Sequence, residues 1–336
     1  MQLKTIQIRL RERLLARSLA LIFGGLALLI GHGQVWASVD GAPESLSGVP
    51  SFIEDWFKSA QGQPVDIRLE SVSRFFVGRP YLGDPLGEGA VGRYDQDPLY
   101  RFDGFDCTTF VETMMALAGA HSVSQFEDRQ NRIRYTNGVV GFTTRNHFPS
   151  LDWIPSVTRS GFAVEVVREV AASDSSVRVE IARAVIDKPN WYRFKKESNL
   201  QVKESLTPAE RVQRVREWQS EGSAFRPEEA SLEYIPFMAF FRDGKPDQER
   251  AALIPNGSIV NIVRPNWDLT QIIGTQMNVS HQMLFFRDAE GKPYLRHAST
   301  TQKRVIDQDF FESMRSYLGH ATARGIHVLR VLPNGD

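Results

Sequence analysis

An α+β fold is predicted for this chain from two features: a helical pattern that begins at its single cysteine, and a last third rich in strand-forming residues. Over 107–118, Phe110, Met114, Leu117 and Ala118 share one helical face, and Gly119 is read as the stop. In the last third, SIVNIVR (258–264), SHQMLFFR (280–287), PYLRHAS (293–299) and IHVLRVL (326–332) have strand composition. The turn at 288–292 joins the second and third as a hairpin. A helix followed by antiparallel strands points to an α+β layer rather than a parallel sheet.

Taken in order, the chain opens with a segment that is read as a leader rather than as part of the fold. Lys4, Arg9, Arg11, Arg13 and Arg17 precede an apolar run over 19–30, and Val35-Trp36-Ala37 offers small residues at the two positions a signal peptidase reads. This predicts a secretory signal over 1–37, cleaved after Ala37, and an exported, periplasmic protein with no membrane attachment after cleavage. An uncleaved anchor is the other reading, although the run is short for a span of about 20 residues. Without 1–37, the 40 basic and 40 acidic residues fall to 35 and 39, a formal charge of −4. No basic field remains to attract nucleic acid or anionic lipid. Residues 38–50 are small, polar and rich in Gly and Pro, and read as a linker; 51–336 read as one catalytic domain.

Within that domain, Phe52, Ile53, Trp56 and Phe57 predict a short amphipathic helix over 51–61. The segment 80–106 is dense in Gly, Pro and Asp and reads as a long loop of the kind that lines sites. Residues 162–221 are charged and helix-like, with VEVVREVA, VEIARAVI and PAERVQRVREWQ as the clearest pieces, and read as a helical insertion. Thr207 as N-cap, Pro208 in the first turn and Glu210 in a capping box mark the start of the last piece. A helix is also predicted over 307–319.

The chemistry centres on Cys107. A lone thiol in an exported protein has no intramolecular disulfide partner, so it is either a reactive group or a small buried hydrophobe. Its position favours the first. Asp106 is a good N-cap, which puts Cys107 at the first helical position. There the helix dipole and unpaired N–H groups favour a thiolate, and the Cys107 N–H can face an oxyanion. A thiolate needs a base, usually a histidine oriented by a third polar group. Of the seven histidines, His281 and His297 lie on the two strands of the hairpin and are expected to be neighbours. Such a pair can also bind zinc, but that would need a third ligand, and no HExxH or HxxEH pattern occurs.

At this point the residues resemble a known family. Phe105-Asp106-Cys107-Thr108-Thr109-Phe110-Val111-Glu112 looks like the nucleophile motif of the papain-like NlpC/p60 cell-wall hydrolases. Its Thr-Thr-Phe-Val-Glu continuation is similar to the N-acetylmuramoyl-L-alanine amidase-like branch. Gly78-Arg79-Pro80-Tyr81, Arg145-Asn146-His147-Phe148 with Asp152-Trp153, Ser280-His281, and Arg296-His297-Ala298-Ser299 follow in the same order. The resemblance covers residue 70 to the C-terminus.

It implies a papain-like core in which the nucleophile helix packs on an antiparallel sheet. Cys107 would be the nucleophile, His281 the base, His297 its orienting group, and Tyr81 a tyrosine contacting the site beside Asp106. The implied substrate is a muropeptide cut between the lactyl carbonyl of N-acetylmuramic acid and L-Ala, with no metal and no cofactor. An endopeptidase cutting the γ-D-Glu-diamino acid bond, or a non-catalytic peptidoglycan binder, would be the alternatives. Arg145, His147, Asp152 and Trp153 read either as a saccharide or peptide subsite or as a salt-bridged loop packed under Trp153. The chain departs from the family pattern at Gln282-Met283, where relatives often carry a small residue followed by glycine.

Overall fold

A computed structural model of the protein describes residues 49–172 and 177–333. The leader read over 1–37, and all but the last two residues of the linker read over 38–50, lie outside the described residues. The first helices are α1 (Ser51–Ser59), α2 (Val65–Arg74), α3 (Cys107–Gly119), α4 (Val123–Arg134) and α5 (Ile154–Arg159). An antiparallel sheet follows, with the order β2-β3-β10-β6-β7-β8-β9 and a further strand, β1, beside β10. Its strands are β1 (Ala163–Glu165), β2 (Glu180–Asp187), β3 (Pro227–Pro236), β6 (Ser258–Leu269), β7 (Thr275–Arg287), β8 (Pro293–Ser299), β9 (Arg304–Asp309) and β10 (Gly325–Val331). The small hairpin of β4 (Phe241–Arg242) and β5 (Lys245–Pro246) stands apart. The remaining helices are α6 (Val167–Ala172), α7 (Lys188–Arg193), α8 (Pro208–Gly222), α9 (Gln248–Ala252), α10 (Thr270–Ile273) and α11 (Phe310–Ser316).

The mixed helix and antiparallel-sheet class is the predicted one, but the segment 162–221 is not simply helical. VEIARAVI forms β2 and pairs along its length with β3. Its β-branched residues fit a pleated surface better than a helix, and burial alternates, with Ala182, Ala184 and Ile186 inside while Ile181 and Val185 face out. VEVVREVA is split between β1 and α6. Only α8 starts as read, with Thr207, Pro208 and Glu210 in the expected capping box. The helix predicted from 307 begins at Phe310, because 304–309 pairs with β8 as β9 and Asp309 caps the next N–H groups through Glu312 N at 2.9 Å.

Both faces of the sheet are covered, which is why its central strands read as continuous apolar runs rather than alternating ones. On one face, Phe110 and Met114 of α3 and Phe126 of α4 pack with Val263, Leu284, Phe286 and Leu329. On the other, Phe310 and Met314 of α11 pack with Ile262, Met283, Phe285 and Leu295. Helix α3 is buried over 109–118, as a central helix that is apolar on nearly every side must be.

Gly119 does not stop α3 by a left-handed turn; the chain leaves the helix at Ala120, which is extended. Gly119 leaves room for Arg129, whose guanidinium would have to shift from the 1.9 Å approach to a Cβ built there. Arg68 closes the same helix end. It donates to the carbonyls of Ala118 and Ala60 at 2.6 Å each and to that of Ala120, placing a cation at the negative end of the dipole.

Candidate active site

The cysteine is set by its cap. Asp106 is extended and its Oδ1 accepts from Thr109 N–H at 2.7 Å, while Asp106 N–H donates to Thr109 Oγ1 at 3.0 Å. This reciprocal box holds Cys107 at the first helical position, partly exposed. Thr108 Oγ1 lies 4.0 Å from the sulfur. The backbone N–H groups of Gln282 and Thr108 lie near enough to the sulfur to favour its charged form. Burial first, and the neighbouring Asp106 second, outweigh them and push the thiol up to about 12. Burial thus works against the thiolate that the helix position favours.

The histidines owe their positions to two irregularities of the sheet. His281 stands opposite Ile262 of β6, but Val279 stands opposite Val263, so Ser280 is an extra residue in β7 and forms a bulge. The ladder between β7 and β8 stops at Leu284 and Arg296, although both strands continue. Gln282, paired with Asn261 of β6, lies beyond the last β7–β8 pair, and its backbone comes close to the sulfur. The cysteine thus meets β7 one residue from His281. His281 Nε2 lies 2.8 Å from His297 Nδ1, with the rings perpendicular at 86°. His297 Nε2 lies 3.2 Å from Gln308 Oε1 on β9.

Burial holds both rings neutral. It keeps His281 well below the ordinary imidazole range, with His297 adding to the effect, and pushes His297 down to about 4 against the opposing contact from Gln308. This has a consequence for stability. An unfolded histidine titrates at about 6.5. Below that pH the unfolded chain takes up a proton that folded His297 refuses, so stability is lost as pH falls from 6.5 to about 4. The full effect is roughly 3 kcal/mol. Urea midpoints at pH 7.5 and 4.5 should fall further in the wild type than in His297→Gln; equal losses would mean the buried ring does not contribute.

Tyr81 is held at both ends of the site. Its N–H donates to Lys303 O at 2.9 Å in the turn between β8 and β9, and it bridges Phe105, which precedes the cap residue. Its phenol lies close enough to Cys107 and Asp106 for their charges to add to burial in raising its pKa. A second tyrosine, Tyr317, follows α11 and stacks on Phe237. Burial pushes it up to about 12, with Arg264 opposing and Cys107 adding. Gln308 and Tyr317 were missed by sequence reading. Gln308 becomes visible only once 304–309 is known to be a strand paired with β8; nothing local marks Tyr317.

Arg145, His147, Asp152 and Trp153 are each engaged by the protein's own groups. Arg145 is buried and donates from Nε to Glu88 at 2.8 Å and from Nη2 to Asp95 at 2.8 Å, pinning the loop before the cysteine. Arg134 and Glu112 make a second buried pair at 2.8 Å. His147 Nε2–H donates to Phe142 O at 2.8 Å and its ring packs on Phe142 and Trp191. Asp152 accepts from Lys188 Nζ at 2.6 Å and from Phe148 N–H at 3.1 Å. Trp153 has no exposed surface and lies in the main core. The reading as a salt-bridged, packed loop is the one that their burial supports.

A family model described as AmiA-like, N-acetylmuramoyl-L-alanine amidase-like, matches residues 71–320. Among solved structures, a protein of Legionella pneumophila str. Philadelphia 1 is 32% identical with a TM-score of 0.80, over 85% of this chain and 95% of that one. An N-acetylmuramoyl-L-alanine amidase of Bacteroides uniformis is 25% identical with a TM-score of 0.54, over 80% of this chain and 99% of that one. A putative xylanase of Bacteroides fragilis, 24% identical with a TM-score of 0.52 over 78% and 99%, shares the fold. No curated protein matches the chain.

Proposed function

The chain belongs to the N-acetylmuramoyl-L-alanine amidase-like family, and from that premise we propose that it is an exported, periplasmic hydrolase that cleaves the amide between N-acetylmuramic acid and L-Ala in muropeptides. The single observation that carries this reading is the juxtaposition at β7. A thiol at a capped helix start meets the strand one residue from a histidine, and a second histidine 2.8 Å away holds that ring. We read it as a Cys–His–His hydrolase site of the papain-like NlpC/p60 kind, the reading that the sequence motif around Cys107 also supports. The basic start and apolar run of the leader, with small residues before Ala37, support export.

With Nε2 of His281 engaged by His297, Nδ1 is the atom left for the thiol. His281 takes the Cys107 proton as the sulfur attacks the lactyl carbonyl, so a neutral thiol and a neutral imidazole become a thioether-bound tetrahedral centre and an imidazolium. The N–H of Cys107, unpaired in the first turn, stabilises the oxyanion, and Tyr81 lies beside it. The imidazolium gives its proton to the departing amine of L-Ala, the C–N bond breaks, and a muramoyl thioester remains on Cys107. His281 then draws a proton from water, whose oxygen attacks the thioester and frees the lactyl carboxylate and the thiol.

Digestion of a disaccharide-tetrapeptide, with products identified by mass, tests the bond assignment. Free disaccharide and an intact tetrapeptide beginning with L-Ala are expected. A disaccharide still bearing L-Ala-D-Glu would place the cut in the stem instead.

A further inference from the structure

Gln308 ends a hydrogen-bonded line that starts at the base. Its Oε1 faces His297 Nε2 at 3.2 Å, and His297 Nδ1 faces His281 Nε2 at 2.8 Å. A neutral imidazole carries one N–H and one lone pair, so this line has only two proton orders in which every contact is satisfied. In the first, Gln308 presents its carbonyl and His297 carries its proton on Nε2. His297 Nδ1 then accepts from His281 Nε2–H, and His281 Nδ1 keeps a lone pair. In the second, Gln308 presents its NH2, every proton moves to the other nitrogen, and His281 Nδ1 carries a hydrogen.

Only the first order leaves a base for the Cys107 thiol. His297 is 5% exposed, and among the described residues no carboxylate makes an ion pair or hydrogen bond with either histidine. The nearest acid on β9, Asp307, is engaged by Arg296 at 2.7 and 2.8 Å. What the group behind the pair has to supply is therefore a tautomer rather than a counter-charge.

We propose that Gln308 is a positioning residue whose side-chain carbonyl holds His297 and His281 in the tautomers that leave the lone pair on His281 Nδ1. It acts through His297 and touches neither substrate nor sulfur. The proposal rests on Cys107 and His281 as the reacting pair, but not on the identity of the substrate. With Oε1 turned to His297, Gln308 is an acceptor that sets the proton order, whereas a hydrocarbon sets no order at all.

The test is a two-bond proton–nitrogen correlation spectrum of the full protein labelled with 15N-histidine, which distinguishes the two tautomers of each ring. It is paired with the rate of Cys107 alkylation by iodoacetamide at pH 7.5. In the wild type both rings are expected as Nε2–H tautomers. Gln308→Glu, which retains an acceptor, should keep that pattern and alkylate within a few-fold of the wild type, on the scale of a retained hydrogen bond. Gln308→Leu should give mixed tautomers and slow alkylation by about tenfold or more, with the unfolding temperature little changed.

His297 protonated on Nδ1 in the wild type, or unaltered tautomers and rate in Gln308→Leu, would overturn the proposal. If the leucine variant fails to fold, the wild-type and Gln308→Glu spectra still decide. Neither readout uses a muropeptide, so failure of the substrate assignment would appear separately, as absent cleavage with tautomers and alkylation intact.

Discussion

Cys107→Ala is expected to lower muropeptide hydrolysis by about 10⁴-fold or more while leaving the fold in place. Removing a nucleophile that acts with its base as one unit costs nearly the whole covalent pathway, and what remains comes from binding and oxyanion contacts alone. Alanine suits a helix interior at least as well as cysteine, and the cap that orients this turn is made by Asp106 and Thr109, which stay. The thiol itself contributes a 4.0 Å contact to Thr108 Oγ1. Steady-state rates on a disaccharide-peptide, beside thermal unfolding of the same samples, check this. Hydrolysis within tenfold of the wild type would remove Cys107 from the chemistry.

Arg145→Leu is expected to produce the largest loss of stability, about 3–5 kcal/mol, or roughly 10 °C in Tm. The guanidinium is the cation on which Glu88 and Asp95 converge, and all three side chains are no more than 5% exposed. Leucine would fill much of the volume but leave two carboxylates buried without their partner, which is far costlier than losing an exposed pair. The loop from Leu86 to Asp97 keeps its backbone ties, Leu86 O to Arg134, Gly87 O to Tyr135 and Gln96 N–H to Gln201 O, so the loss falls on the buried charges. Thermal or urea unfolding measures the effect. A variant as stable as the wild type but with a raised KM would instead restore the subsite reading of Arg145.

The sequence made the nucleophile helix and the strands flanking the hairpin legible for local reasons: an N-cap beside a lone thiol, a turn rich in Asp and Gly, and β-branched runs. What it hid is non-local. β2 carries Val and Ile at spacings that also suit a helix, and it is a strand because Ala182 and Ala184 find Leu232 and Ala230 across the ladder. β3 carries Glu228, Glu229 and Glu233 at its more exposed positions. Arg145 beside aromatic residues reads alike whether it greets a ligand or a carboxylate, and its partners Glu88 and Asp95 lie 57 and 50 residues away.

The site shows the same division. Cys107, His281 and His297 stand out as residue types in motif positions. Gln282 drew notice only as a departure from a pattern, and its part is played by a backbone N–H that side-chain identity does not announce. Gln308 needs the β8–β9 pairing, in which His297 faces Ile306, before it can be placed on the same face as the imidazole.

The most direct measurement of the proposed reaction is digestion of a disaccharide-tetrapeptide in water enriched in 18O, followed by mass analysis of both products. Passage through a muramoyl thioester on Cys107 places one 18O atom in the lactyl carboxylate of the released disaccharide and none in the tetrapeptide. Label in a D-Glu carboxylate, with the sugar still attached to L-Ala, would contradict it.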